Sequence, residues 1–196
     1  MNTGRRVADG WPDAVACGTV TPMVDDVVEV SIRPATVEDA PSIAQVHAAS
    51  WREAYAGVIS AEYLAGLDVD AKTEQWRDVL AHLPRPDAAL WVAHGAERVV
   101  GFAHLAPSRD EDADRSTMEI HAIYLEPRAW GQGVARELLR TVLAAVPAES
   151  TVTLWVLAAN ERARHFYRRN GFVPDGVERL EQIGDETYRE VRYLRR

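Results

Sequence analysis

Between Ile123 and Ala135 the chain reads Ile-Tyr-Leu-Glu-Pro-Arg-Ala-Trp-Gly-Gln-Gly-Val-Ala, and no other stretch constrains its fold as strongly. A β-type apolar run stops at Pro127, a glycine-containing turn follows, and an amphipathic helix begins at once. Such a turn leaves several backbone N–H groups without acceptors at a helix N-terminus. The helix dipole adds positive potential there, so the turn suits a phosphate-bearing ligand. The same glycines could serve only the geometry of a tight strand-to-helix turn. A Gly-x-Gly pattern alone does not decide between the two.

A second feature lies downstream, from Asn160 through Ala163, Phe166 and Tyr167 to Gly171-Phe172. Asn160 is a good helix cap, Ala163, Phe166 and Tyr167 fall on one face, and Gly171 can end the helix. Taken with the glycine turn, this resembles the GCN5-related N-acetyltransferase (GNAT) superfamily, which binds acetyl-CoA. The family pattern Arg/Gln-x-x-Gly-x-Gly/Ala falls on Trp130, Gly131, Gln132, Gly133, Val134 and Ala135. The later signature, Asn-x-x-Ala-x-x-Phe-Tyr followed by Gly-Phe, is matched in full. The opening Ser31-Ile32-Arg33-Pro34-Ala35, with Asp39-Ala40 after it, is similar to the family's first strand and first helix.

The resemblance implies a set of site residues. Trp130 to Ala135 would hold the pyrophosphate through backbone N–H groups. Trp130 itself replaces the family's Arg or Gln, so charge would have to come from Arg128 or Arg136. Backbone groups of Ile123, Tyr124 and Leu125 would pair with the pantetheine arm as an added strand does. Asn160 would sit near the cofactor as well as capping its helix, and Tyr167 would protonate the departing thiolate. Glu119, four residues ahead of Ile123, matches the catalytic glutamate of the superfamily's histone acetyltransferases. Simple strand alternation puts Glu119, His121, Ile123 and Leu125 on one face. His121, with a reference pKa of about 6.5, competes for the role of base, and a β-bulge would change which of the two faces the cleft.

Composition bounds the rest. The apolar fraction of 47% and charged fraction of 27% are those of an ordinary globule, and 196 residues are most simply one domain. No apolar run reaches about 18 residues, so no membrane span is expected. Residues 1–27 hold no apolar stretch suited to a signal peptide. They read as a disordered leader before an N-acetyltransferase domain at 28–196, in a cytoplasmic protein. The formal charge of −8 argues against nucleic-acid binding and fits an amine-bearing acceptor. Lys72 is the only lysine, and no Lys-Ser/Thr follows the glycines as a Walker loop requires. Cys17 is the only cysteine, which leaves a zinc cluster, a disulfide or a Cys-His-Asp acyl-enzyme without the residues they need.

The elements read as a strand at Val28–Arg33, a helical block from Thr36 to Pro84, and strands at Ala88–Ala93, Arg98–Leu105 and Thr117–Leu125. A helix from about Gly131 to Val146 follows, with Val134, Leu138, Val142 and Val146 spaced by four. Thr151–Leu157 is a buried strand, Asn160 starts the next helix, and a hairpin closes around Gly184-Asp185. This order gives an α/β layer fold. By the resemblance it is a GNAT-like mixed, mostly antiparallel central sheet flanked by helices, with splayed fourth and fifth strands that admit CoA.

The acceptor pocket should come from the first helical block and the final hairpin. His47, Trp51 and Tyr55 recur every four residues and could line it, with Glu53 and Tyr63 nearby and His121 opposite. Packing on the sheet would explain the same stripe. The sequence therefore points to an acetyl-CoA-dependent N-acetyltransferase acting by direct attack on a primary amine, with a small molecule favoured over a protein. A non-catalytic acyl-CoA sensor is the alternative. No metal is called for, and a homodimer is left open.

Overall fold

The computed structural model describes residues 30–196. The leader expected at 1–27 and its Cys17 lie outside the described residues, as do Val28 and Glu29 of the first strand. Seven strands form one sheet: β1 (Ser31–Pro34), β2 (Ala89–His94), β3 (Val99–Pro107), β4 (Met118–Leu125), β5 (Val152–Leu157), β6 (Val173–Ile183) and β7 (Glu186–Arg195). Their spatial order is β1-β2-β3-β4-β5-β7-β6. Every neighbouring pair is antiparallel except β4–β5.

Helices α1 (Ala40–Ala54), α2 (Ala61–Ala65) and α3 (Val69–Ala81) follow β1. Arg33 holds Asp39 with two hydrogen bonds of 2.7 Å, tying the first strand to the start of α1. Ile43 and Val46 of α1 and Leu80 of α3 pack on Leu90, Val92, Phe102 and Ala122. The helical block divides where Asp68 accepts from the N–H groups of Asp70 and Ala71, a cap that opens α3.

Helix α4 (Val134–Ala145) covers the opposite face of the sheet. Of its spacing-by-four stripe, Val134, Leu138 and Val142 are buried as expected and Leu139 joins them, whereas Val146 falls just past the helix end and is only half-buried. Helix α5 (Glu161–Arg169) is capped by Asn160, whose Oδ1 accepts from the Ala163 N–H at 3.0 Å. Gly171, at φ 85°, turns the chain out of α5. Phe172 then enters the core with no exposed surface, a burial that contributes about 1.5–3 kcal/mol.

Two features of β4 position the site. First, β4 pairs with β5 only at Met118–Val152 and Glu119–Thr153, and beyond those pairs the strands separate. Second, the register with β3 shifts at His121: His104 pairs with Ala122, but Leu105 pairs with Ile120. His121 is the extra residue of a β-bulge, which inverts the alternation on either side of it. The single face expected for Glu119, His121, Ile123 and Leu125 is therefore corrected. Ile120, Ile123 and Leu125 belong to the α4-side core, and Glu119 lies on the other side of the strand with Ala122 and Tyr124.

Candidate active site

Where β4 and β5 part, a cleft of about 1060 Å³ opens. Ile120 to Leu125 form one wall and Trp155 to Leu157 the other. Among the described residues, no strand lies against the β5-facing edge of β4 along this stretch, so its peptide groups are available to an extended ligand. The glycine turn closes one end. Gly131 and Gly133 adopt φ of 78° and 85°, and a Cβ at either would touch nothing within 4 Å. Backbone conformation, not space, requires glycine at these two positions.

No side chain caps α4. Among the described residues, the N–H groups of Gly131, Gly133, Val134 and Ala135 have no protein acceptor. Val134 turns its side chain into the core and does not itself line the cleft. Gln132 is exposed and donates Nε2 to the Arg128 carbonyl at 2.8 Å. Trp130 donates its indole N–H to the Leu125 carbonyl at 3.1 Å, which pins the turn to the end of β4.

The charges divide by element. Arg136 of α4 and Arg162, His165 and Arg169 of α5 line the cleft from the two helices that flank the glycine turn. Glu53 of α1 and Glu181 and Glu190 of the β6–β7 hairpin line it from elsewhere. Of the two arginines named from sequence, Arg136 lines the cleft, whereas Arg128 is engaged by Glu126 at 2.7 Å.

Tyr167 lines the cleft while packing edge-on against Phe166 and Phe172. Burial, with a smaller contribution from Tyr55, holds its phenol well above the usual tyrosine range. Tyr55 and Tyr124, also on the wall, are raised mainly by burial as well. Trp51, Tyr55 and Asn160 reach the cleft, but His47 does not line it. His47 stacks on Tyr124 at 4.9 Å and accepts the Trp76 indole N–H at 3.2 Å. Burial, helped by Lys72, lowers its pKa to about 3.

Glu119 is buried and stands one side chain away from the cleft. Its Oε2 accepts from Ser108 Oγ and the Arg109 N–H, each at 3.3 Å. Its Oε1 lies 3.4 Å from His121 Nδ1. His121 does line the cleft, and its Nε2 lies 3.3 Å from the Pro107 carbonyl. Both ring nitrogens thus face protein acceptors. Burial lowers the His121 pKa, and Glu119 opposes that shift.

Three wall residues escape a reading of the sequence. Arg162 lies two positions after Asn160, inside the helix motif, and only that position hinted at it. Trp155 reads as one more apolar residue of a buried strand. Glu190 sits in the closing hairpin, where its neighbour Arg179 is set by strand pairing.

A mixed sheet split at its one parallel pair, with an uncapped helix N-terminus at one end of the split, defines a class of proteins that hold an extended phosphate-bearing carrier. The chain belongs to the Acetyltransferase (GNAT) family, which matches residues 45–172. It is 31% identical over 160 residues to an uncharacterized N-acetyltransferase of Mycobacterium bovis, covering 80% of this chain and 98% of that protein. It is 27% identical over 149 residues to a probable N-acetyltransferase of Mycobacterium tuberculosis, covering 75% of this chain and 82% of that one. Its fold is similar to that of the PaiA N-acetyltransferase of Thermoplasma acidophilum, solved in complex with coenzyme A. That likeness has a TM-score of 0.66 at 20% identity and covers 86% of this chain and 99% of the other.

Proposed function

We propose that the protein transfers the acetyl group of acetyl-CoA to a primary amine on a small molecule, by direct attack while both substrates are bound. The observation that carries this reading is the gap between β4 and β5, with Tyr167 on its wall. The unpaired edge at Ile123, Tyr124 and Leu125 would take the pantetheine amides. The N–H groups of Gly131, Gly133, Val134 and Ala135, which have no protein acceptor among the described residues, would take the pyrophosphate, with charge from Arg136 and Arg162.

The division of charge supports an amine acceptor. Arginines beside the glycine turn suit an anionic carrier, while Glu53, Glu181 and Glu190 suit a cationic acceptor entering from the hairpin side. Trp51, Tyr55 and Tyr63 supply apolar walls there. The hairpin tip supports a small acceptor over a polypeptide. Ile183 and Tyr188 pack with Tyr55, Ile59 and Leu64, and a Cβ on Gly184 would come within 2.7 Å of Tyr63. An extended chain crossing the cleft would have to part this contact.

In the reaction the amine nitrogen bonds to the thioester carbon and the C–S bond breaks. A backbone N–H at the end of β4 would stabilise the carbonyl oxygen as it gains charge. Tyr167 would donate to the departing sulfur. Its phenol stays protonated across the physiological range, and a buried thiolate is made more basic by the same desolvation. Direct attack also agrees with the described residues containing no cysteine.

The test is thiol release from acetyl-CoA across a panel of amines and peptides, with calorimetry against CoA and ATP. Amine-dependent release and preference for CoA support the reading. Tight CoA binding without release from any acceptor would favour a non-catalytic acyl-CoA sensor, and tighter binding of ATP would remove the reading altogether.

A further inference from the structure

We infer that Glu190 is the general base that deprotonates the acceptor amine, an assignment that rests on the proposed amine acetylation. Among the described residues, three carboxylates line the cleft, and they differ in shelter. Glu53 and Glu181 are exposed, whereas the Glu190 side chain is only 14% exposed. Glu119 does not reach the wall, and the two ring nitrogens of His121 face Glu119 and the Pro107 carbonyl, at 3.4 and 3.3 Å. Glu190 is thus the sheltered carboxylate in contact with the space an acceptor would occupy.

Its position is fixed from two sides. Glu190 pairs with Leu157 on β5 and with Arg179 on β6. The Arg179 guanidinium donates to Glu190 Oε2 at 2.8 Å and lies 4.2 Å over the Trp155 ring. Trp155 in turn donates its indole N–H to Asp110 at 3.0 Å. Among the described residues, no hydrogen bond reaches Glu190 Oε1, which leaves that oxygen for a substrate proton. Arg179 is therefore a positioning residue, and Glu190 the one that meets the amine.

The charged and titratable groups around Glu190 set its basicity. Burial raises its pKa, Arg179 lowers it, and Glu181 and Glu119 raise it again. Tyr55, just past the end of α1, and Tyr124 of β4 face it. A carboxylate raised in this way is a better base near neutral pH. Glu190 would take the first ammonium proton and later release it to solvent. The second nitrogen proton leaves as the adduct collapses, balancing the proton that Tyr167 gives to sulfur.

The test compares two acceptors that differ in whether they need a base. Benzylamine is an ammonium at neutral pH, whereas aniline is already neutral. Glu190→Gln should slow CoA-thiol release with benzylamine about 100-fold and with aniline less than about threefold. It should also remove the acid limb of kcat/KM for benzylamine while acetyl-CoA binding by calorimetry is unchanged. Glu190→Asp should restore part of the benzylamine rate. Equal slowing with both amines, no slowing with either, or loss of the acid limb in Glu119→Gln alone would overturn the assignment. If wild-type protein binds acetyl-CoA yet releases thiol with neither amine, the fault lies with amine acetylation itself.

Discussion

The guanidinium of Arg162 lies 3.9 Å over the centroid of the Trp130 ring. Trp130 holds the position at which a family member ordinarily carries Arg or Gln, and it presents an arginine from another helix instead. The indole is itself anchored on the Leu125 carbonyl, so the stacked cation is fixed relative to the glycine turn. Arg162→Ala should weaken acetyl-CoA binding by about 10- to 100-fold, the loss of a charge-assisted contact to phosphate. Trp130→Ala should do nearly the same by releasing Arg162. Arg128→Ala, which removes an exposed pair with Glu126, should change binding little. Calorimetry at two salt concentrations checks all three, and equal losses at positions 128 and 162 would contradict the stacked-clamp account.

Tyr167→Phe removes one oxygen from a wall that otherwise keeps its packing against Phe166 and Phe172. If the phenol donates to the departing sulfur, kcat should fall by about 100-fold or more. KM for acetyl-CoA should stay within about twofold, because an interaction made only in the transition state does not affect ground-state binding. Stopped-flow measurement of thiol release is the direct check. A raised KM with unchanged kcat would make Tyr167 a packing residue.

Most of the element order was legible in the sequence because α4 and α5 carried their own punctuation, whereas the division of α2 from α3 at Asp68 was not read. Asn160, Gly171 and Pro147 mark ends locally, and Val134, Leu138 and Val142 give a period that only a helix satisfies. The hairpin was harder to bound. β6 is an edge strand exposed on both sides, with Leu180 74% exposed, so burial imposes no alternation on its sequence. Glu119 shows a different limit. A one-residue bulge at His121 inverts the faces of β4, and nothing in a strand's own pattern announces an inserted residue. Arg162 and Glu190 depend on partners 32 positions and 11 positions away in the chain, Trp130 and Arg179, which only the assembled sheet brings together.

Two buried histidines should make stability fall with mild acid. Burial lowers His47 to about 3, with Lys72 adding to the effect. Burial, with His121 and Arg109, lowers His104 to about 4. The unfolded chain binds these protons at about pH 6.5, so the folded state holds its full advantage above that value. It loses the advantage as pH falls from there toward 4 and 3, by up to about 1.4 kcal/mol per pH unit for each histidine. Carboxylates in their ordinary range contribute little between pH 6.5 and 5, and Glu190, raised by burial, opposes the drop, so a fall in Tm there belongs to histidine. Tm should drop steadily across that window, and His104→Gln should flatten the drop. A Tm constant from pH 8 to 5 would show that neither histidine is held neutral.

Arg192 joins the acidic loop between β3 and β4 to the wall of the cleft. It bonds Asp112 at 2.6 and 2.7 Å, Asp110 at 3.0 Å and Asp175 at 2.7 Å. Asp110 and Asp175 are themselves sheltered, with side chains 10% and 13% exposed. Removing the guanidinium leaves two sheltered carboxylates uncompensated, which costs more than the ion pairs contribute while intact. Arg192→Ala should therefore destabilise the fold by about 3 kcal/mol, a fall in Tm of about 6–12 °C for a domain of this size. Because Asp110 also holds the Trp155 indole, the variant should raise KM for the amine more than KM for acetyl-CoA. A loss of stability with both KM values unchanged would separate the network from the acceptor wall.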